Sequence, residues 1–338
     1  MSSPITIKDI ARALNISAST VSRALKDHPD ISRETKDAVN NLAAKLKYKP
    51  NAVALSLKNS RTNTIGVIVP EVIHYFFSTV ISGIEDVAYD AGYNVMVCQS
   101  NERYAREIIN AQALESNRVE GLLVSISKET STLTHFQNLE EEGVPIVFFD
   151  RAPEEMEVDR VIIDDRQAAY NATRHLIDTG CRRIAHLGAP ATLGIGIKRL
   201  EGYKQALKDH GIPFREELVV IADSFDLAEN ATRNLMHLST PPDAIFAVND
   251  MTAVGAMKTL QRMSIDVPER VAIIGFSAGF FSDITTPTLS SVDQHGYKMG
   301  VEAAKLLLER IEKPAEGHYK TTYIDTDLVI RESTKRKI

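Results

Sequence analysis

From residue 64 onward, short apolar runs alternate with stretches of helical periodicity, and that alternation restricts the fold more than any other feature of the chain. TIGVIVP, NVMVCQS, GLLVSI and PIVFFD have the length and continuity of strands buried on both faces. Helices are expected between them near residues 78–92, 103–116 and 131–142. A second series follows, RIAHLGA, LVVIA, AIFAVND and VAIIGFS, with helices near 198–210, 227–237 and 251–263. Parallel neighbours need a crossover helix where antiparallel ones need only a tight turn. Strand–helix alternation run through twice therefore predicts an α/β body of two lobes, each built on a parallel sheet. SSVDQ, a helix near 295–312 and TYIDTDLVIRES are left over after both series and are expected to cross back between the lobes.

The first sixty residues follow a different pattern. Thr6 with Asp9 three residues on is a helix-start signal, and Ile7, Ile10, Ala11 and Leu14 fall on one face behind it. Asn15 tolerates the left-handed conformation of a tight turn, Ile16 supplies an apolar plug, and Ser17 caps a second helix. Val21, Ala24 and Leu25 face inward in that helix, leaving Ala18, Ser19, Thr20, Ser22 and Arg23 at its outward side or end. Ser32 opens a third helix with Val39, Leu42, Ala43 and Leu46 on one stripe. Two short helices across a tight turn, with hydroxyls and an arginine at the exposed start of the second, suit docking in a DNA major groove. A three-helix cap with incidental positive charge would share the periodicity.

Charge is divided to match. The whole chain carries a net −6, yet residues 1–61 hold 11 Lys or Arg against 5 Asp or Glu, and the remainder holds 28 against 40. A basic head precedes an acidic body, as expected if the head meets a polyanion and the body stays off it. Residues 51–60, NAVALSLKNS, join the two. Asn51 can cap a helix with Val53 and Leu57 one turn apart, but two turns are far short of the roughly 12–15 residues an isolated helix needs. Such a linker forms only on a surface: its own body, or a minor groove into which Leu57 beside Lys58 could wedge.

TIKDIARALNISASTVSRAL, then YKPNAVALSLK, then TIGVIVP, resembles the LacI/GalR family of bacterial repressors over essentially the whole chain. The resemblance implies an N-terminal three-helix helix-turn-helix domain (1–50), a hinge helix (51–61) and a two-lobed periplasmic-binding-protein-like domain for effector binding and dimerisation (62–338). Its lobes would take about 62–163 plus 293–324 and about 164–292 plus 325–338. It implies DNA contacts from Thr6, Ser17, Ala18, Ser19, Thr20, Ser22 and Arg23 in the head. Asn51, Ala54, Leu57 and Lys58 would add to them from the hinge, with Leu57 as minor-groove lever. Leu55 stands where several members carry arginine. The implied partners are double-stranded operator DNA, a small-molecule effector (a sugar or related metabolite) and a second copy of the chain.

Ligands of open parallel sheets bind beyond the carboxyl ends of the strands. Applied to the apolar runs, that rule points to Phe76 and Phe77, Asp150, Asn249 with Asp250, and Ser277, while Arg199 can reach the same cleft. Each alone could equally be a strand-end or helix-capping group. The family resemblance selects Arg199 and Asn249 as pocket residues and Phe76 and Phe225 as ring-stacking ones. It also marks Ser277 as a departure, because many sugar-binding members carry aspartate there. The expected effector-binding set is Phe76, Phe77, Asp150, Arg199, Phe225, Asn249 and Ser277.

Enzyme chemistry is not expected. There is no phosphate-binding GxxxxGK[ST] loop and no HExxH, and Gly194 and Gly196 lack a third glycine at dinucleotide-binding spacing. No His or Cys sits at metal-ligand spacing, so no metal and no cofactor are expected. MSSPITIKDIARAL lacks the apolar core of a secretory signal, no apolar stretch approaches the roughly 20 residues of a membrane span, and Cys98 and Cys181 are far apart. A cytoplasmic protein without membrane attachment is expected, nucleoid-associated when bound to DNA. A solute-binding protein that feeds a transporter would share the two-lobed body but not the basic head. A sugar-processing enzyme would need catalytic groups.

Overall fold

The computed structural model describes residues 5–48, 61–313 and 318–336. The chain divides at residue 62 into a small head and a large body, each compact in its own right.

The head holds three helices, α1 (Ile7–Leu14), α2 (Ala18–Leu25) and α3 (Arg33–Lys45). Each boundary has a local chemical cause. The Asp9 carboxylate accepts from the Thr6 backbone N–H and hydroxyl at 2.9 and 2.7 Å. Asn15 adopts φ 52° at the end of α1, and Ser17 and Ser32 cap α2 and α3 by accepting from Thr20 and Thr35 backbone N–H groups. Ile10, Val21 and Val39 are fully buried, with Ala11, Ala24 and Ala43 filling between them. Ile16 packs on this core, the plug expected of it.

The body contains two six-stranded sheets. Sheet one comprises β1 (Thr64–Val69), β2 (Asn94–Gln99), β3 (Leu122–Val124), β4 (Ile146–Phe149), β5 (Asp159–Ile162) and a late strand β11 (Thr321–Tyr323), in the order β11-β5-β4-β3-β1-β2. Sheet two comprises β6 (Ile184–Gly188), β7 (Val219–Ile221), β8 (Ala244–Ala247), β9 (Ala272–Phe276), β10 (Ser290–Asp293) and β12 (Asp327–Val329), in the order β12-β10-β9-β8-β6-β7. Every pairing is parallel except β10 with β12. The connecting helices are α4 (Tyr75–Asp90), α5 (Tyr104–Ser116), α6 (Thr134–Glu141), α7 (Asp165–Asp178), α8 (Gly194–Asp209), α9 (Phe225–Met236), α10 (Asp250–Arg262), the short α11 (Phe281–Ile284) and α12 (Gly296–Glu312).

The chain passes between the sheets three times: from β5 into α7, which packs on α8; from β10 into α12, which packs on α4; and from β11 to β12. The last passage is the crossing expected of the leftover C-terminal strands. Close helix contact explains two glycines. A Cβ at Gly83 would collide with the Tyr297 carbonyl oxygen and one at Gly300 with that of Val80, so α4 and α12 touch backbone to backbone.

Charges disguise β5 and α7 in the sequence. Asp159 in β5 is buried, and so is Arg310 of α12, whose Nε and Nη2 donate to it at 2.6 and 3.1 Å. α8 also begins earlier than its periodicity indicates, at Gly194. Among the described residues no helix is long and apolar enough to cross a membrane.

Candidate functional site

Two surfaces carry the expected chemistry, one on each unit. On the head, Ser17, Ser19 and Arg23 are exposed, while Thr20 and Ser22 are half-buried. The hydroxyls form a linked group at the start of α2, with Ser17 Oγ 2.7 Å from Ser19 Oγ and 2.8 Å from Thr20 Oγ1. Short polar side chains on an uncovered helix start can approach base edges, and Arg23 stands one turn further along. Ala18, beside them, is half-buried and packs against the head's core. Asn51, Ala54, Leu55, Leu57 and Lys58 lie outside the described residues.

In the body, loops at the carboxyl ends of both sheets enclose a cavity of about 90 Å³. Phe76, Phe77, Asp150, Arg199, Asn249 and Ser277 line it, six of the seven residues expected. Phe225 does not. It opens α9, and the close approach of that helix to α10 sets the Phe225 carbonyl where a Cβ on Gly255 would collide with it.

Asp150 is the chemical centre. It is buried at φ 57°, with Arg151 Nε 3.9 Å away. Burial lifts its carboxyl to about 6; the nearby Arg151 and Arg199 guanidiniums oppose that rise. Arg151 also donates to both Glu102 oxygens at 2.9 and 2.8 Å and lies over the Phe77 ring. Ser277, held at φ 116°, donates its hydroxyl to Gln294 Oε1 at 2.9 Å. The Gln294 side chain also interacts with the Asp150 carboxyl and opposes its rise, while Arg151 Nε is buried without a hydrogen-bond partner, which leaves a donor unmet beside it.

Arg199 and Asn249 are building elements as well as lining. Arg199 is 4% exposed; its Nε donates to Asp165 at 2.7 Å, its Nη1 to the Val248 carbonyl at 2.6 Å, and its guanidinium stacks 3.6 Å from the Phe276 ring centre. Asn249 caps α10 by accepting from Thr252 N–H, and its amide donates to the Asp223 carbonyl at 2.9 Å. Asp250, adjacent in sequence, is not in the cleft wall. Its buried carboxylate accepts from Gly279 N–H and the Ser282 and Ser291 hydroxyls, which ties down the loop carrying Ser277.

Glu102, Lys128, Arg151, Asp223 and Gln294 also line the cavity and were not singled out from sequence. A signal existed: they follow β2, β3, β4, β7 and β10, and the strand-end rule applies to every strand. Two ion pairs bridge the lobes, Lys128 to Asp223 at 2.8 Å and Lys198 to Glu154 at 2.6 Å. Among the described residues no cluster of His, Cys, Asp or Glu could hold a metal ion, and burial pushes both the Cys98 and Cys181 thiols up, away from the reactive thiolate.

Residues 6–51 match the family described as bacterial regulatory proteins, lacI family, and residues 62–332 match periplasmic binding proteins and sugar binding domain of LacI family. The ribose operon repressor of Halalkalibacterium halodurans is 33% identical over 331 residues, 98% of this chain and 97% of that protein. The transcriptional repressor PurR of Vibrio atlanticus is 31% identical over 98% of this chain and 99% of its own. Among solved structures, the transcriptional regulator CelR–cellobiose complex aligns with a TM-score of 0.74 at 29% identity, covering 97% of this chain and 99% of that one. The lac repressor dimer bound to operator and an anti-inducer shares the fold, with a TM-score of 0.87 at 23% identity over 98% and 99% of the two chains. The chain belongs to the LacI family of DNA-binding transcriptional repressors, which are regulated by small-molecule effectors and are not enzymes.

Proposed function

We propose that this chain acts in the cytoplasm, on the nucleoid when bound, as a homodimeric repressor of a roughly palindromic operator, released or engaged by a small polar effector of the sugar class. Residues 1–50 read the major groove, 51–61 form the hinge, and 62–338 bind effector and the second copy. The observation that carries the effector reading is the convergence of Asp150, Arg151 and Gln294 on one cavity, with the Arg151 Nε donor buried and unmet. A hydroxyl that donates to Asp150 can accept from Gln294 or Arg151, so a pair of sugar hydroxyls satisfies all three. This trio takes the part that aspartate at the Ser277 position would play. Relatives carry names consistent with such ligands, ribose for one repressor and cellobiose for one regulator.

The dimer reading rests on exposed apolar side chains. Tyr75 lies against Gly279, which brings the neighbourhood of Val72, Ile73 and Tyr75 beside Phe280, Phe281 and Ile284, all exposed. An apolar patch drawn from both lobes suits a second copy of the chain. Ligand entry between the lobes would alter their angle, with Lys128–Asp223 and Lys198–Glu154 as the contacts under strain.

A hydroxyl ligand binds the ionised Asp150 best. Its affinity is therefore expected to rise with pH up to about 6 and level off above it, following the carboxyl that burial has lifted. In Asp150→Asn the binding is weaker and its pH dependence flat; a wild-type dependence that persists in this variant removes Asp150 from the site. Titration calorimetry between pH 5 and 8 reads both.

For the hinge, Leu57→Ala is expected to weaken specific operator binding and reduce DNA bending, read by gel mobility of circularly permuted fragments. An unchanged bend discards the lever. Binding of the wild type is expected to fall steeply with salt, since the head's cations displace counterions from the phosphates.

A further inference from the structure

The small cavity around Asp150 adjoins a second, larger one of about 740 Å³. Asp150, Arg151, Leu193 and Ile195 belong to the walls of both, so the two form chambers of one cleft meeting at those side chains. Compact ligand sites run from about 300 to 1,000 Å³. The inner chamber falls well below that range and the outer one lies inside it. The outer chamber is walled on one side by the threonine-rich loop that runs into α6, with Thr130, Thr132 and Thr134, and on the other by α8, with Ile197 and Lys198.

Charge limits what can occupy this space. Seven carboxylates and five cations line the two chambers. Arg151 is paired with Glu102, Lys128 with Asp223, Arg199 with Asp165 and Lys198 with Glu154. The fifth cation, Arg160, has no carboxylate at ion-pair distance among the described residues: it donates to the Met156 carbonyl at 2.6 Å, and its Nε is buried without a hydrogen-bond partner. A phosphate or carboxylate on the ligand would find only Arg160 without a pairing carboxylate; elsewhere it would have to displace one or lie against walls with excess negative charge. Hydroxyl groups meet no such obstacle, and the Asp150 carboxyl, the Gln294 amide and the unmet Arg151 donor are suited to them.

We infer that the effector is uncharged and longer than one sugar ring, a disaccharide or larger glycoside with one ring at Asp150, Arg151 and Gln294 and the rest in the outer chamber. The inference rests on the reading of the cleft as the effector site and adds the ligand's length and charge. The outer subsite depends on residues that the inner one does not use, Ile197 among them, which is half-exposed on α8 and lines the outer chamber alone.

Thermal shift and calorimetry on the full chain test it, with a panel of α- and β-linked disaccharides, their component hexoses and pentoses, and the corresponding 6-phosphates. The best disaccharide is expected to bind at least about tenfold more tightly than its components and than any phosphate. Ile197→Trp, at an exposed position that keeps the unliganded transition, should weaken that disaccharide about tenfold and leave the component sugar unchanged. Asp150→Asn should weaken both. A monosaccharide that binds as tightly as the best disaccharide, with no effect of Ile197→Trp, overturns the length argument while leaving the effector site standing. A phosphate that binds more tightly than its neutral parent overturns the charge argument. If no member of the panel shifts the transition, the sugar reading of the cleft fails and this inference fails with it.

Discussion

Arg199→Ala is expected to cost the body about 3–5 kcal/mol of unfolding free energy and to abolish its response to effector. The first effect follows from what the guanidinium leaves behind. Asp165 is as deeply buried as Arg199, and its carboxylate loses the partner 2.7 Å away while Val248 loses a donor to its carbonyl. An unpaired carboxylate in that place is tolerated only by taking up a proton. Burial already pushes Asp165 upward, and the Arg199 charge opposes the shift. Without Arg199 the folded-state pKa rises further above the unfolded value. The added penalty is small where Asp165 is protonated in both states and grows as pH climbs toward the raised pKa. The destabilisation should accordingly be larger at pH 7.5 than at pH 5. Arg199→Ala with Asp165→Asn should recover part of the loss, since no buried charge is then orphaned. Denaturant melts of the four proteins in this cycle decide the matter: additive losses would mean that the pair is not coupled. Ligand binding by the double variant separates stability from recognition. If it folds well and still responds, Arg199 serves architecture alone.

Removal of residues 1–62 should eliminate operator binding and leave a body that folds, sediments as a dimer and retains its effector response. The head's core is drawn wholly from its own helices, around Ile10, Val21 and Val39, and the body's larger cores are drawn from its sheets and their helices. The truncation also removes the basic part of the chain, after which the remaining net charge opposes DNA. Fluorescence anisotropy with an operator duplex and sedimentation equilibrium read the two halves of the expectation. Residual specific binding would contradict the assignment of DNA reading to the head. A truncated body that sediments as a monomer would remove the Ile73, Phe280 and Phe281 patch as the dimer contact.

The walls of the cavity around Asp150 are only partly legible in the sequence. Asp150 was visible because it follows an obvious apolar strand. Gln294 was not, because it follows SSVD, a strand whose buried serines read as polar. In the fold Ser290 and Ser291 are satisfied by Thr334, Asp250 and Arg331 from distant parts of the chain, so their hydroxyls do not prevent burial. Arg199 is legible as a pocket residue, but its part in holding α7 to α8 depends on Asp165 in a helix that its charges conceal.

What the residues settle alone is local. Periodicity and capping act within a turn or two of helix, and a parallel strand buried on both faces is apolar along its whole length. Ser17 and Ser32 as caps, the αL turn at Asn15, and β1, β4 and β8 are therefore readable in order from the residues alone. The folded chain is needed wherever a charge is tolerated only because a remote residue compensates it. Asp159 depends on Arg310, 151 positions away, and Lys128 meets Asp223 across 95. The division of the cleft into a small inner and a large outer chamber belongs to the same class. Its walls come from both sheets, and no window of sequence contains the distance between them.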